Sequence, residues 1–370
     1  MTGMSWKRGL GIGVAAALAM AAAVGPVVLS GRTASASADE ARTRCVRTLK
    51  TKHGWRAKYV ETQTGSDGKK AVVRTEVTVR QPGDYRVVLR EKDDQGKEVV
   101  SASIRTGSTL YTRRIEADGS AVMHVMKGMR PSLGAQTDNA LGEVVQSVAD
   151  SAVLRMAGTE QVNGRQATKL ELAPNRFVWT DASSGLPLRE REVSGGLVTR
   201  EVDFDSFEAD PELSDQEFSV ADLGSVESTV VEDLGFRPVD DPADAWSILG
   251  FRPVAVTPPA GYTVEVQGYS DHRVSPGDRE PEAASVTMMT DGASTLLVTQ
   301  TQRPGIADVM FAATGDESDA PREIDLGGRR ALIHSDALGG ELMFVSRDIL
   351  VTVEGNVSNE VLTMFARTIR

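Results

Sequence analysis

The sequence predicts an α+β protein: a large, strongly curved antiparallel sheet with a plugging helix, followed by a smaller α+β domain. Three observations carry that reading. The first is a ladder of short strands from Ala71 to Met126, AVVRTEVTVR, DYRVVLRE, EVVSASIR, TLYTRRIE and SAVMHVM, with QPG, DDQGK, GS and ADG at the joints. Gly, Pro and Asp reverse a chain, and inside each run apolar and charged residues alternate with the period of a sheet that has one oily and one wet face. Val73, Val77 and Val79 share one face, and Arg74, Glu76 and Arg80 the other. The second observation is one helical stretch, 138–156, set inside the ladder. The third is a new strand group after residue 244, closed by a C-terminal helix.

Taken in order, residues 1–38 read as a signal peptide or an N-terminal membrane anchor. Lys7 and Arg8 precede an apolar run from Leu10 to Leu29, and Ala36-Ser37-Ala38 supplies the small residues of a cleavage site. The run also approaches bilayer-spanning length, so an uncleaved anchor is the alternative. Arg42-Thr43-Arg44 before Cys45 is not a lipidation motif, and a lone cysteine forbids an internal disulfide. That cysteine is expected half-buried on a helix from Asp39 to Lys52, closed by Gly54. WRAKYVET, with Trp55, Ala57 and Tyr59 on one side, is the first strand.

In the helix at 138–156, Leu141, Val144, Val145, Val148, Ala152, Val153 and Met156 fall on one stripe, and Asp138 or Asn139 can cap it. That stripe must be buried, and the sheet's apolar face is the partner at hand. Strands resume through LVTREVDFDSF, with Asn163-Gly164 and Gly195-Gly196 as hairpin turns. A sheet of ten or so strands is expected to curl. Residues 208–243 are acidic and aperiodic, an interdomain linker with Phe218 as its anchor. LGFRPV occurs there at 234–239 and again at 249–254, not a solenoid but a repeat of which one or both copies are short docking segments. Residues 244–370 form the small domain, ending in a helix capped by Ser358 with Val361, Leu362, Phe365 and Ile369 as its stripe.

A formal charge of −11 argues against a nucleic-acid binder. The histidines His53, His124, His272 and His334 are not at metal-ligand spacing. Ser270-Asp271-His272 and His334-Ser335-Asp336 hold triad residue types, but neighbours on a strand point to opposite faces, so these read as turn residues. The acids Asp203, Asp205, Glu208, Asp210, Glu212, Asp215 and Glu217 lack the spacing of a calcium loop. No catalytic residue, metal or cofactor is assigned. What remains is the sheet's apolar face with Tyr59, Val77, Val79, Val87, Leu89, Tyr111 and Val178, and with Val144 and Val148 of the helix above it. Either these fill each other as an ordinary core, or they leave a greasy cavity able to take an acyl chain.

RQPGDYRVVL, FVWTDASSGLPLREREV (Trp179, Asp181, Gly185, Leu186, Pro187, Arg189) and FDSFEADPELSDQEFSV resemble the lipoprotein-carrier superfamily. That group holds LolA-type carriers, LppX-type lipoproteins and the RseB/MucB regulators. The C-terminal part, from LGFRPVAVTPPAGYTVEVQGY onward, is similar to the small domain that follows such modules in anchored envelope proteins and in RseB. The resemblance implies a half-barrel over residues 39–207 with a helix in its mouth. It also implies binding of a lipid or a lipoprotein's acyl chains, no enzymatic activity, and in the RseB branch restraint of an anti-sigma factor or other membrane protein. The expected place is the periplasm or the outer face of the cytoplasmic membrane. The extra domain and missing lipidation motif favour a regulator. A lipid or lipoprotein carrier is the alternative, and an unrecognised hydrolase the remote one.

Overall fold

The computed structural model describes residues 31–369 apart from 50–53, 66, 82, 94, 117, 132, 134–138, 271–282, 313–320 and 336–338. The apolar run Leu10–Leu29, His53, Asp138, Asp271, His272 and Asp336 lie outside the described residues. Helix α1 (Gly31–Arg47) both begins and ends earlier than the expected 39–52 helix. Gly54 does not close it. That residue opens the first strand at φ 131°, where a Cβ would meet the Val79 carbonyl oxygen at 2.0 Å.

Strands β1 (Gly54–Thr64), β2 (Lys70–Arg80), β3 (Asp84–Lys92), β4 (Glu98–Thr106), β5 (Thr109–Ile115) and β6 (Ala121–Lys127) form the expected ladder. Helix α2 (Ala140–Asp150) interrupts it. Strands β7 (Arg155–Val162), β8 (Arg165–Ala173), β9 (Arg176–Asp181), β10 (Pro187–Ser194) and β11 (Leu197–Ala209) complete it. β11 pairs with β1, which joins both runs in one sheet. A twelfth strand, β12 (Ser228–Asp233), then pairs with β6 in parallel. The sheet is therefore mixed rather than purely antiparallel, with β12 and β7 at its edges.

Helix α2 is shorter than its periodicity predicts. Met156 belongs to β7, and Val153 is 55% exposed. The hairpin at Asn163-Gly164 pairs Arg155–Val162 with β8, and those ladder hydrogen bonds outweigh a helical spacing that Gly158 already weakens.

Both faces of this sheet are covered, not one. On the first, Trp55, Ala57, Tyr59, Val77, Val79, Leu170, Val178, Val202 and Phe204 pack under α1 and α2. On the second, Val88, Ala102, Ile104, Met123 and Val125 pack under Phe218 and Leu223 of the segment expected to be a linker. The reason is charge as much as oil. Arg56 pairs with Glu217, Arg80 with Asp215 at 2.6 Å, and Arg86 donates to the Ser219 carbonyl at 3.2 Å. Arg80 also lies 4.5 Å from the Phe218 ring centroid. The acids thus meet a row of arginines, so the strap is structured, and its tail supplies β12.

The second sheet is antiparallel with eight strands: β13 (Phe236–Pro238), β14 (Thr263–Ser270), β15 (Ala284–Thr290), β16 (Thr295–Gln302), β20 (Ile349–Gly355), β19 (Gly340–Ser346), β18 (Arg330–Ser335) and β17 (Arg322–Asp325), in that order. Helices α3 (Trp246–Leu249), α4 (Ile306–Ala312) and α5 (Asn359–Thr368) accompany it. Ser358 caps α5, and Leu362, Phe365 and Ile369 are buried. The two LGFRPV copies dock on opposite faces of this sheet: Phe236 against Met288 and Leu297, Phe251 in the core with Met289 and Leu296. The architecture is mostly β with few helices, in two sheets.

Helix α1 is seated by the turn of the FVWTDASSGLPL motif. The Asp181 carboxylate accepts from the Ser183 and Ser184 N–H groups at 2.9 Å, and Gly185, at φ 82°, lies so close that a Cβ would be 2.5 Å from the Arg44 carbonyl carbon. Gly185→Ala is expected to destabilise by about 2–3 kcal/mol, since it adds a backbone clash to the left-handed penalty. Gly196→Ala, with the same φ of 82° and open space around it, is expected to cost about 1 kcal/mol. Chemical denaturation of both variants checks the difference.

Candidate functional site

The apolar stripe of α2, Leu141, Val144, Val145 and Val148, is fully buried against the first sheet. Polar ties hold the helix ends. Asn139 Oδ1 accepts from the Gly142 N–H at 3.1 Å, and the Tyr59 hydroxyl accepts from the Ala140 N–H at 3.3 Å. At the other end the Arg42 guanidinium of α1 donates to the Ser151 carbonyl at 2.7 Å, and Ser151 Oγ donates to the Leu172 carbonyl at 2.8 Å. Burial raises the Tyr59 pKa, keeping it a neutral phenol. Cys45 of α1 is fully buried rather than half-buried, and burial pushes its thiol up to about 12, so it is an inert packing residue.

Beyond the apolar floor lies a charged rim on the same face. Glu190, whose side chain is 1% exposed, takes Arg200 and Arg176 at 2.6 Å each. Arg200 also reaches Glu61 at 2.9 Å. Burial opposes the Arg200 charge, but Glu190 and Glu61 outweigh it and raise its pKa. Arg176 donates to Ser147 Oγ of α2 at 3.0 Å. The rim therefore grips the outer side of the helix that covers the floor.

The proposed site residues separate. Tyr59, Val77, Val79, Val144, Val148 and Val178 come together in one core, with Val87 at its margin. Leu89 shares that face with Val87 but lies a step beyond the helices and is 37% exposed. Tyr111 is on the opposite face, opposite Ile104 and packed beside it with Val125. Leu110 and Tyr111 are both apolar neighbours on one strand, so alternation could not choose between faces; the β4–β5 register does.

Two cavities sit where Arg80, Gln81, Gly83 and Asp84 face the second sheet. One, of about 740 Å³, is lined by Arg80, Gln81, Pro211, Leu213, Glu265 and Thr290, among others. The other, about 250 Å³, includes Asp84, Arg105, Met129, Phe236, Val266 and Met288. Asp84 is the joint between them: it pairs with Arg80 at 2.5 Å and accepts from the Gly107 N–H at 2.7 Å. Sequence reasoning missed these cavities, because they exist only between elements far apart in the chain.

Among the described residues, no group of three or more His, Cys, Asp or Glu side chains is placed to hold a metal ion. Asp203 is engaged by Arg189 at 2.6 Å, and Ser335 Oγ accepts from Asn359 at 2.9 Å. Among the same residues, no helix is long and apolar enough to cross a membrane.

No protein-family model matches the chain, and no curated protein matches it. Among solved structures, MucB is similar over 90% of this chain and 98% of its own, at 16% identity and a TM-score of 0.32. The Pseudomonas aeruginosa MucA/MucB complex matches over 89% of this chain and 96% of that one, at 14% identity and a TM-score of 0.31. A LolA-superfamily protein from Nitrosomonas europaea matches over 49% of this chain and 97% of its own, at 9% identity and a TM-score of 0.25. MucB and LolA-superfamily proteins, two of the three groups that the motifs resemble, thus occur among the similar solved structures.

Two outcomes are expected. Glu190→Ala leaves two arginines without their buried partner and is expected to destabilise by about 3 kcal/mol in chemical denaturation. On the second sheet, Glu354 lies directly opposite Glu341, which lies opposite His334. Burial, and then the Glu341 charge, push the Glu354 carboxyl up to about 7 from an ordinary 4.5. A folded-state pKa above the unfolded one means that the folded state binds the extra proton. The stability from this carboxyl is complete below about pH 4.5 and lost as pH rises through 7. Glu354→Gln is expected to flatten that dependence and to stabilise at pH 8 by on the order of 1–2 kcal/mol, read from melts across pH 5–8.

Proposed function

We propose that this chain is an extracytoplasmic, non-enzymatic binding protein of the MucB/RseB kind, which takes up a lipid or acyl chain and acts on a membrane signalling partner such as an anti-sigma factor. On this reading residues 39–207 form the half-barrel, its curvature included, and 244–370 the small domain. Export from the cytoplasm is the reading of Lys7, Arg8 and the apolar run behind them.

One observation carries the proposal: the greasy floor of the first sheet is covered by α1 together with α2, a helix of 11 residues tied down at its two ends, by Arg176 and by a 3.8 Å pair between Glu143 and Arg200. The floor is occupied, so an acyl chain enters by taking the place of the helix stripe. The energies permit that exchange. Four buried aliphatic side chains are worth about 2 kcal/mol each, roughly 8 kcal/mol together. A sixteen-carbon chain buries about fourteen methylenes at roughly 0.8 kcal/mol each, about 11 kcal/mol. The near balance is what a sensor needs, because a modest ligand concentration then decides which occupant holds the floor. The QPGDY, GLP and closing FSV motifs support the class of protein, since each makes a tertiary joint rather than lying on the surface.

The test uses the full chain and a palmitoylated lipopeptide. Native mass spectrometry is expected to give a one-to-one adduct. Cys45, sealed under the same core, is expected to react with a thiol reagent faster once the ligand is added. No adduct, together with an unchanged labelling rate, would sink the acyl-binding reading.

A further inference from the structure

Every sheet edge exposes unpaired backbone groups, and folded proteins blunt such edges with brevity, proline, bulges or charge. Among the described residues, three of the four sheet edges are blunted. β7 breaks register between Met156 and Gly158, a bulge. β13 is three residues long and ends in Pro238. β17 is four residues long and carries Arg322, Glu323 and Asp325. β12 differs: it spans six residues, Ser228–Asp233, with unbroken register and no proline, and its charges, Glu232 and Asp233, lie together at one end. Its middle is Val230 and Val231, which are 50% and 58% exposed. Val231 stands beside Val125 in the parallel ladder and carries that apolar row to the rim of the sheet.

We infer that the outer edge of β12 is a docking edge for an extended segment of a partner protein, a run of β-branched residues flanked by lysine or arginine. Backbone groups of the segment would continue the ladder, and Val230 and Val231 would meet alternate side chains on the two faces. Charge selects the occupant. Glu227 and Glu232, both exposed, bracket the valines, while Asp233 is turned back onto Arg237 at 2.7 Å. Acids at both ends suit basic flanks, and a second copy of a chain with formal charge −11 would bring the same acids to the same edge. This inference rests on the reading above only in taking the chain to act on a protein partner; it needs no acyl ligand.

The probe is a fluorescein-labelled peptide, KVTVTVK, titrated into the full chain by anisotropy. Saturable binding is expected, with slowed amide exchange confined to residues 228–233. The same peptide N-methylated at every valine and threonine keeps its side chains and charge but loses its backbone donors; it is expected to bind about thirtyfold more weakly, the loss of two backbone hydrogen bonds. Glu227→Gln with Glu232→Gln is expected to weaken binding and flatten its salt dependence. The inference is overturned if the parent peptide does not bind, if the methylated peptide binds equally well, or if protection arises elsewhere. Concentration-dependent protection of the same amides without peptide would assign the edge to a second copy and overturn it as well. Acyl uptake with Cys45 labelling is read separately, so either reading can fail alone.

Discussion

Apolar side chains on both faces of the first sheet have to be kept from water, and two helices and the strap are arranged to do so. Helices α1 and α2 seal the face built on Trp55, Tyr59, Val77 and Phe204, and the strap through Phe218 and Leu223 seals the other. Neither cover is long. Each is held by oil in the middle and by a few directed polar contacts at its margins.

The residues that carry the family resemblance work as joints. Asp84 of QPGDY fastens Arg80 and the Gly107 turn, Gly185 makes room for α1, and Phe218 lies against Arg80. None of them is placed as a reacting group. Motifs of this sort report a way of folding, and function has to be argued from what the fold leaves displaceable or unpaired.

The strap also couples the two sheets. β12 belongs to the first and β13 to the second, with only Leu234 and Gly235 between them. Leu234 donates its N–H to the Lys127 carbonyl at 2.8 Å and Phe236 donates to the Gly128 carbonyl at 2.7 Å, so the end of β6 holds the crossover directly. A change at that rim has a short covalent path into the small sheet.

Strand positions, hairpin turns, the Asn139 and Ser358 caps and the stripe of α2 were legible in the sequence, because they depend on neighbours within a few residues. Periodicity failed where two local signals competed: the helical spacing through Met156 lost to the Asn163-Gly164 hairpin, and the adjacent Leu110 and Tyr111 left their faces undetermined. The acidic segment 208–243 read as a partly packed strap anchored by Phe218, and Phe218 is buried as expected; its ion pairs were not legible because their partners, Arg56, Arg80 and Arg86, are more than a hundred residues away. The sequence by itself determined the strands, the turns and an apolar face that demanded a cover. Only the tertiary structure decided what that cover is, that the second face has one too, and which edge is unpaired among the described residues, since register and long-range ion pairs depend on distances that no local pattern encodes.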